Sequence, residues 1–489
     1  MLIIVILAVP LLLACLSLLV RRNAVLGPVN TLGHAVVLAA AVGLGMQVLK
    51  AKSLFFFGHT VFVDSLSAFF ILIIALSDFS AALFSSGYVG REVKDGKIPE
   101  KKAGLYYFLL DIFAVSMFCV TLLNNLGMVW IAVEATTLAS AFLVGFYNNR
   151  GSVEASWKYI IICSAGISLA LFGIILFYHA ASLGSGIKSI DWTDLNSLAA
   201  GFDPKIVKIA FLFILVGFGT KAGIAPMHTW LPDAHSQAPA PVSALLSGVL
   251  LKSALYAILR FSILVNRCVG DSYTRHLFLL FGLVSLAVAA AFILIQKDVK
   301  RLLAYSTVEH IGIVAIGLGF GGTIGLYGAL LHMFNHAVTK ALMFFAAGRV
   351  VQDYKTGDMR QISGVVAAMP FVGVVMCIGV FALAGSPPFS IFFSEFMIAL
   401  SGFKTGSWLA VSLYLLFVVI VFGAIVYHFS RMLFGKKLAG MVASAEPWTG
   451  KLVFLVLLFF IFLTGIRVPG LLNGLLAAAV AVLQGGSHA

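Results

Sequence analysis

Long apolar runs separated by short polar stretches make up almost the whole chain. Most runs are about 20 residues or longer, the length that a helix needs to cross the hydrocarbon core of a bilayer. The pattern predicts an all-α integral membrane protein with about 14 transmembrane helices. The predicted spans are 2–20, 30–49, 65–88, 104–123, 126–146, 157–182, 206–235, 242–265, 274–296, 301–320, 323–348, 365–403, 407–432 and 452–483.

The first apolar run predicts a spanning helix and not a cleaved signal peptide. It is followed by Arg21 and Arg22. A signal peptide carries its positive charges before the apolar run and ends at a small-residue cleavage site. We therefore expect the run to stay in the membrane as the first span.

Two of the predicted spans are interrupted by glycine and proline near their middles. The seventh contains Gly223 and Pro226, and the twelfth contains Gly385, Pro387 and Pro388. Because proline removes a backbone hydrogen bond and clashes with the preceding turn, each span should consist of two half-helices. Irregular backbone at membrane depth is tolerated only where protein or water surrounds it. We therefore expect both interruptions to face the protein interior.

The two interruptions predict an internal repeat. They lie five spans apart, and an odd spacing reverses the direction in which the chain crosses the membrane. Spans four to eight and nine to thirteen are thus predicted to be two inverted five-helix repeats, each with one broken helix, as in secondary transporters. The predicted units are 1–103 with spans one to three, 104–265 and 274–432 with the repeats, and 433–489 with span fourteen.

Composition supports a chain whose solvent is lipid. With 61% hydrophobic and only 10% charged residues, it has too few polar side chains to cover a water-soluble protein. The net charge of +13 does not indicate nucleic acid, because Lys and Arg lie in the short stretches between apolar runs. With the N-terminus outside, the inward stretches carry more than twice as many basic residues. We therefore expect both termini to lie outside.

We expect no cofactor and no metal ion in the chain itself. Its five cysteines lie far apart, without the CxxC spacing of zinc, iron–sulfur or redox sites. His332 and His336 have the i, i+4 spacing of a zinc site but lack an HExxH glutamate or a third ligand. Electron transfer, if it accompanies the function, is expected in other subunits.

Ionisable residues inside the predicted spans are the candidate chemistry. Such residues are costly in lipid and persist where they face the protein interior and have a role there. Glu134 and Lys252 lie near the middle of their spans, Lys221 precedes the first interruption, and Glu395 follows the second. The basic residues within the spans are Lys221, Lys252, Arg260, Lys340 and Arg467.

Span eleven adds a row of titratable side chains. His332, His336 and Lys340 recur at every fourth position and therefore share one helical face, and span ten adds Glu309 and His310. Burial disfavours the charged form of a lysine, whereas a nearby carboxylate favours it. A lysine balanced between the two can take up or release a proton, and histidines and water can connect such groups. The row predicts a proton pathway.

Other roles remain open for several of these residues. Glu134, Lys221 and Lys252 would also suit structural ion pairs, and single histidines within spans often only connect helices. Asp78 and Asp111 would suit either a functional role or polar contacts between helices. Arg260 and Arg467 are expected to snorkel or to be structural. The proline-rich region around Asp233 and His235 is more typical of a scaffold.

These residues carry a resemblance to a known family. The run KAGIAPMHTWLPDAH at 221–235, followed by Ser243 through Lys252, resembles the signature of the antiporter-like subunits of respiratory complex I and Mrp antiporters. The resemblance covers nearly the whole chain. It implies that Glu134 and Lys221 form a coupling pair, that Lys252 is the central relay and that Glu395 leads outward. It places His310, His336 and Lys340 between the last two.

One branch of the family fits best. The stretches 134–140 and 154–163 are similar to component F of hydrogenase-4 and of formate hydrogenlyase complexes. Glu395 stands where L-type subunits of complex I have lysine, as in M-type subunits. Because the sequence ends soon after span fourteen, we also expect no long lateral helix of the L type.

The resemblance implies a proton-translocating membrane subunit of a complex-I-related hydrogenase or oxidoreductase, without a redox centre of its own. Its partners would be other membrane subunits, through them a peripheral redox arm, and the lipid bilayer, but not nucleic acid. The alternatives are a subunit of an Mrp-type Na⁺/H⁺ antiporter, an M- or N-type subunit of NADH:quinone oxidoreductase, and a purely structural membrane anchor.

Overall fold

The computed structural model describes residues 1–20, 22–185, 189–437 and 443–485, with the side chains of 184 and 185 left out. Arg21, which follows the first predicted span, lies outside these ranges. Residues 486–489, which include the C-terminus that we expect outside, also lie outside them.

The described residues are helical except for loops and one two-stranded antiparallel hairpin. The strands are β1 Ser53–Phe56 and β2 Val61–Asp64. The helices of the first half are α1 Leu2–Leu19, α2 Asn23–Ala51, α3 Ser65–Lys94, α4 Lys101–Leu122, α5 Leu126–Val144, α6 Arg150–Ser185, α7 Trp192–Leu198, α8 Pro204–Ala222, α9 Leu231–Gln237, α10 Ala240–Leu245 and α11 Leu251–Val269.

The second half continues with helices of the same kind. They are α12 Ser272–Leu294, α13 Val299–Phe320, α14 Gly322–Tyr354, α15 Val365–Ala368, α16 Pro370–Leu383, α17 Ser390–Lys404, α18 Trp408–Leu433, α19 Trp448–Ile466 and α20 Gly470–Leu483. A π-helical segment, Leu246–Leu250, joins α10 to α11, and short 3₁₀ turns cover Ala199–Gly201 and Met359–Gln361.

The helix ends define two faces of the bundle. On the hairpin face, Val61 pairs with Leu123 at the end of α4, and Asn125 pairs with Asp191. On the opposite face, the stretch before α13 pairs with the stretch after α14, through Asp298 and Asp358. We use these names below, because they do not depend on orientation in the membrane.

The predicted all-α membrane class is confirmed. Among the described helices, 11 are long and apolar enough to cross a bilayer, and 370–383 and 470–483 are shorter apolar helices. The count of 14 spans and the inverted repeats stay predictions. Most predicted starts lie within a few residues of the observed ones, but α2 and α6 each begin seven residues before their predicted starts at 30 and 157.

Both predicted interruptions are present. Helix α8 ends at Ala222, and the chain is irregular until α9; helix α16 ends at Leu383, and α17 begins at Ser390. Gly223 has a φ of 75° and Gly385 a φ of 70°. This left-handed conformation suits glycine and ends the helix before each break.

A third interruption was not predicted. The apolar pattern predicts one uninterrupted span over 452–483, but the structure divides it into α19 and α20 at residues 467–469. Pro469 explains the division, because proline disfavours helical backbone at the residue before it. A Cβ on Gly465 would collide with the Pro388 carbonyl oxygen. The end of α19 therefore packs directly against the break between α16 and α17.

The centre of the bundle is formed by three elements that are buried on nearly all sides: α3, α13 and the segment Ala240–Val269. Helices α1, α18 and α19 are buried along only about a third of their apolar length, as expected for helices that face lipid. Trp157 and Phe142 are among the large apolar side chains exposed on this outer surface. The candidate site residues lie on the central elements and their neighbours.

Candidate functional site

Glu134 and Lys221 are joined through a hydroxyl group. The Lys221 ammonium donates a hydrogen bond to Thr137 Oγ1 at 2.7 Å. Thr137 donates to Glu134 Oε2 at 3.4 Å, and Ser164 donates to Glu134 Oε1 at 2.7 Å. Among the described residues, no salt bridge within 4.0 Å joins Lys221 to Glu134. The expected coupling pair is therefore an indirect one.

Aromatic side chains hold Lys221 in place. Its ammonium donates a hydrogen bond to the Tyr159 hydroxyl and lies 4.6 Å from the centre of the Tyr159 ring. That hydroxyl is 2.7 Å from Ser140 Oγ on α5. The Trp230 indole donates to the carbonyl of Thr220 at 2.8 Å, which fixes the last turn of α8. Lys221 is fully buried beside the first interruption.

Lys252 follows the π-helical segment and uses its carbonyl groups. Its ammonium donates to the carbonyl of Gly248 and, at 3.4 Å, to that of Ser247. The third partner is His336 Nδ1 of α14, at 2.9 Å. A π-helical turn shifts the backbone bonding pattern by one residue and is frequent at functional sites. Here the π-helical turn brings carbonyl oxygens to the buried Lys252 ammonium, which has no carboxylate among its three partners.

Three imidazoles continue from Lys252 towards the second interruption. The rings of His336 and His310 have centres 4.8 Å apart, and His310 Nδ1 lies 3.0 Å from His332 Nε2. His332 Nδ1 lies 3.0 Å from Ser394 Oγ on α17. All of these side chains are at most 1% exposed. A neutral imidazole has one donor and one acceptor nitrogen, so such a series can pass a proton.

Two carboxylates lie at the far end of this series. Glu395 is 8% exposed and Glu309 is 4% exposed, and the two interact electrostatically. A Cβ on Gly385 would collide with Glu395 Oε2, so the absence of a side chain at the break makes room for this carboxylate. Glu309 Oε2 is buried without a hydrogen-bond partner among the described residues.

Lys340 lies beside the series of imidazoles. Its ammonium donates to the Leu303 carbonyl at 2.8 Å and to Ser306 Oγ, both on α13. It interacts electrostatically with Glu309. The i, i+4 spacing correctly placed Lys340 on the same helix as His336. The hydrogen bonds of Lys340, however, lead to α13 and not to the His336 imidazole.

The predicted residues therefore form two groups. Glu134 and Lys221 make up the first, and Lys252, His336, His310 and the residues up to Glu395 make up the second. Among the described residues, no direct hydrogen bond connects Lys221 with Lys252. A proton would need water to cross between the two groups.

Several contributing residues were missing from our predicted set: Thr137, Tyr159, His332 and Ser394. His332 was visible as one member of the i, i+4 row, but nothing in the sequence showed that it connects His310 to α17. The hydroxyl side chains gave no signal. Serine and threonine inside membrane helices commonly bond only to their own backbone, and a tyrosine in an apolar run does not show which helix its hydroxyl reaches.

One group of side chains has the spacing of metal ligands. Ligand atoms of His310, His332 and Glu395 lie within 4.8 Å of one another, the one such group among the described residues. Both ring nitrogens of His332 already have hydrogen-bond partners, so a bound metal would displace its hydrogen bond to His310 or the one to Ser394. The third ligand, Glu395, is distant in sequence from the histidines, which is why sequence spacing did not reveal it.

Two of the open alternatives resolve as structural contacts. The Arg260 guanidinium is 4% exposed and binds both Asp64 oxygens at 2.7 and 2.6 Å, so it does not snorkel. Asp233 accepts hydrogen bonds from Lys158 at 3.2 Å and from Arg301, which agrees with a scaffold at the opposite face.

Comparison with known proteins identifies the family of the chain. Residues 123–422 match the transmembrane family described as NADH:quinone oxidoreductase/Mrp antiporter. The chain belongs to this family. The matched range includes Glu134, Lys221, Lys252 and Glu395, so the family's transmembrane region contains both groups of the site.

The relatives of this antiporter-like protein include hydrogenase components. The hydrogenase-4 component F homolog of Methylacidiphilum infernorum is 39% identical over 381 residues, which cover 78% of this chain and 80% of that protein. Hydrogenase-4 component B of Escherichia coli is 33% identical over 348 residues, covering 69% of this chain and 50% of the longer relative. The chain is an antiporter-like subunit of the complex-I-related kind and a homolog of hydrogenase-4 components.

Solved structures show the same fold. A chain of the membrane-bound sulfane sulfur reductase, an archaeal respiratory membrane complex, superposes with a TM-score of 0.87 at 24% identity, covering 98% of this chain and 97% of that one. A chain of the Mrp complex from Dietzia sp. gives 0.86 at 20% identity with the same coverage. Both matching chains are membrane subunits of larger assemblies, and the chain described here is a multi-pass membrane protein.

Proposed function

We propose that the chain moves protons across the membrane as one subunit of a larger redox complex. The observation that carries the proposal is the buried series from Lys252 through His336, His310 and His332 to Ser394. Hydrogen-bond distances join its members except for His336 and His310, whose rings lie 4.8 Å apart and whose Nε2 atoms have no partner among the described residues, so that water or a ring rotation would complete this step. The proposed pathway residues are the predicted Glu134, Lys221, Lys252, His310, His336, Lys340 and Glu395, together with His332.

Electrostatic coupling between the two groups would drive the movement. Lys221 reaches Glu134 only through Thr137, so a small displacement of α5 or α8 changes the field that Lys221 exerts on the rest of the site. Charges in a low-dielectric interior interact more strongly than the same charges would in water. A change imposed at Glu134 by a neighbouring subunit would thereby alter the proton affinity of Lys252.

The relatives support a hydrogenase-type assembly. Component F and component B of hydrogenase-4 are among the proteins most similar to the chain. We propose that its partners are further membrane subunits and, through them, a peripheral redox arm that supplies the energy. The opposite face would lie in the cytoplasm of a bacterial or archaeal cell, and the two five-helix units 104–265 and 274–432 would be inverted repeats.

Replacement of Lys252 tests the proposal. In the native complex reconstituted into proteoliposomes, Lys252→Met should abolish redox-driven proton transport while the complex still assembles. Ser253→Ala is the matched control, because the Ser253 hydroxyl bonds only to the Val249 carbonyl at 3.2 Å. Intact transport in assembled Lys252→Met complexes would favour a structural anchor.

Sodium/proton antiport is the second candidate function. The A component of the Na(+)/H(+) antiporter of Alkalihalophilus pseudofirmus is 32% identical over 354 residues, although these cover only 42% of that protein. Dependence of proton movement on a sodium gradient, without any redox substrate, would support antiport. Redox-driven transport that continues without sodium would exclude it.

A further inference from the structure

A second buried cluster of titratable groups lies outside the site described above. It consists of His34 on α2, Asp78 on α3 and Asp111 on α4, which are 1%, 2% and 0% exposed. His34 Nε2 lies 3.0 Å from Asp111 Oδ1. Each residue stands near the middle of its helix, so the cluster lies deep within the membrane.

Asp78 distinguishes this cluster from a closed ion pair. Both Asp78 oxygens are buried without a hydrogen-bond partner among the described residues, as are Asp111 Oδ2 and His34 Nδ1. Asp78 interacts electrostatically with the other two residues. If His34 is protonated and paired with Asp111, an ionised Asp78 leaves one uncompensated negative charge. Because such a buried charge is costly, the cluster is neutral only when Asp78 holds a proton.

Polar side chains lie between the cluster and the opposite face, although among the described residues no hydrogen bond joins them to the cluster, so water would connect the two. Tyr107 lies one turn before Asp111 on α4 and donates to Asn23 Oδ1 at 3.1 Å. Asn23 begins α2 and donates to the carbonyl of Ser86 at 3.1 Å, near the end of α3 on the opposite face. Asn30, one turn before His34, has a buried oxygen without a partner among the described residues.

Towards the hairpin face the route is closed. Residues 69–76 of α3 and 35–46 of α2 are all apolar or glycine, and on α4 the Ser116 and Thr121 hydroxyls bond to carbonyl groups of their own helix. Such a segment offers no hydrogen-bonding groups to a proton or to water. The cluster therefore has polar side chains available for proton exchange on the side of the opposite face and none on the side of the hairpin face. A pathway that crosses the membrane would need them on both sides.

Among the other elements packed on α3 and α4, α11 carries two buried cations: Lys252, which bonds to Gly248 and His336, and Arg260, which pairs with Asp64. Helix α20 and the π-helical segment, which both pack on α3, carry no ionisable side chain. The titratable Cys15 of α1 is exposed on the outer surface, and Glu134 of α5 bonds to Ser164 and Thr137. The ionisable groups of α14 belong to the imidazole series and to ion pairs at the opposite face.

We propose that His34, Asp78 and Asp111 form a second proton-binding site, which exchanges one proton with water at the opposite face through Tyr107 and Asn23. On uptake, the proton adds to an Asp78 carboxylate oxygen and forms a carboxylic acid, and the cluster changes from one negative charge to neutral. Release reverses this step by the same route. This property does not depend on transport through Lys252.

Infrared difference spectroscopy tests the binding site. In the full chain embedded in lipid, a pH step should produce the carbonyl band of a protonated carboxylic acid that Asp78→Asn removes and Asp78→Glu shifts. Ser80→Ala is the control, because the Ser80 hydroxyl bonds only to the Leu76 carbonyl of its own helix. If the pH-dependent bands of folded Asp78→Asn and Asp78→Glu equal those of the original chain, the proposal is wrong.

The rate of exchange tests the route. After transfer into heavy water, the Asp78 band of Tyr107→Phe should shift about tenfold more slowly, because loss of one buried hydrogen bond is worth roughly that factor. Tyr106→Phe is the matched control, since the Tyr106 hydroxyl bonds to Ser85 at 2.8 Å. Equal rates in both variants would overturn the route through Tyr107.

Discussion

Thr137 shows how one hydroxyl can connect two opposite charges without bringing them together. A hydroxyl accepts and donates at the same time, so Thr137 can accept from Lys221 while it donates to Glu134. A directly paired buried lysine would be held in its charged form. The indirect link leaves Lys221 sensitive to both helices, which suits a coupling element better than a fixed ion pair does.

Thr137→Val should therefore reduce redox-driven proton transport by about ten- to hundredfold. The change keeps the shape of the side chain but removes a buried hydrogen bond to a charged group, worth about 1.5–3 kcal/mol. Thr136→Val is the control, since the Thr136 hydroxyl bonds to the Val133 carbonyl of its own helix at 2.6 Å. Initial rates in proteoliposomes give the comparison. Similar rates for both variants would show that the hydroxyl is dispensable.

His332 is expected to be as important as the histidines that we predicted. His332→Leu removes contacts to both His310 and Ser394. Transport should fall by at least about tenfold, the factor that corresponds to ~1.4 kcal/mol. His428→Leu serves as the control, because His428 is only partly buried, lies outside the series and bonds to the Leu294 carbonyl at 3.2 Å. A normal rate in His332→Leu would mean that the proton bypasses this imidazole.

At the residue scale, the sequence predicted which ionisable side chains are buried better than it predicted their hydrogen-bond partners. Lys221, Lys252 and Glu395 could be recognised because charged groups inside apolar runs stand out. Their hydrogen bonds could not be predicted, because spacing of four places side chains on one face of a helix without showing which neighbouring helix that face meets. Lys340, which turns to α13, illustrates this limit.

Breaks in the helices bring backbone groups into the interior at the positions where charges lie. The first break follows Lys221, the second makes room for Glu395, and the π-helical segment supplies carbonyl oxygens to Lys252. Each departure from regular helix is therefore adjacent to an ionisable side chain. Such irregular backbone within a membrane is stable because protein surrounds it.

Gly385→Ala tests whether the second break positions Glu395. Alanine at a φ of 70° costs about 1 kcal/mol, and its Cβ would also meet the Glu395 carboxylate. Gly406 is a matched control, because it has the same φ but open space around a Cβ. Both variants should lose similar stability on thermal unfolding, whereas only Gly385→Ala should lose transport. Equal transport in both would mean that Glu395 tolerates displacement.

The elements were predictable to different degrees for physical reasons. Proline and glycine marked the first two breaks, because each alters the backbone directly. The third break also contains a proline, Pro469, but the long apolar run around it favoured one uninterrupted helix. The π-helical segment could not be predicted, since Leu246–Leu250 is as apolar as any regular membrane helix.

Ion pairs at the opposite face hold the last helices to the bundle. Arg349 near the end of α14 donates to Glu446, just before α19, at 2.5 Å. Arg91 at the end of α3 pairs with Asp353 and bonds to Ser444. Arg349 and Glu446 are each about 3% exposed at their side chains, so these contacts are shielded from water.

Arg349→Met should destabilise the protein by ~3–5 kcal/mol, because it leaves the Glu446 carboxylate buried without its partner. Thermal unfolding in detergent measures the loss. Arg360→Met is the control and should have little effect, since Arg360 is 61% exposed and pairs with Asp358 at the surface. Equal stability of the two variants would show that water reaches Glu446.

Orientation in the membrane can be measured directly. If the opposite face lies in the cytoplasm, Thr60→Cys on the exposed hairpin should react with a membrane-impermeant thiol reagent in intact cells. Glu100→Cys, exposed between α3 and α4, should react only after the cells are opened. The reverse pattern would contradict the orientation inferred from basic residues.

The close contact of Gly465 with the second break has a consequence for biogenesis. Helices α19 and α20 leave the ribosome after every helix that they cover, and Thr464 completes the hydrogen bonds of Asn335 at 3.0 Å. Until α19 docks, this side of the polar interior between α14 and α17 lacks its cover. We therefore expect a nascent chain to shield this interior from lipid only once α19 and α20 have inserted.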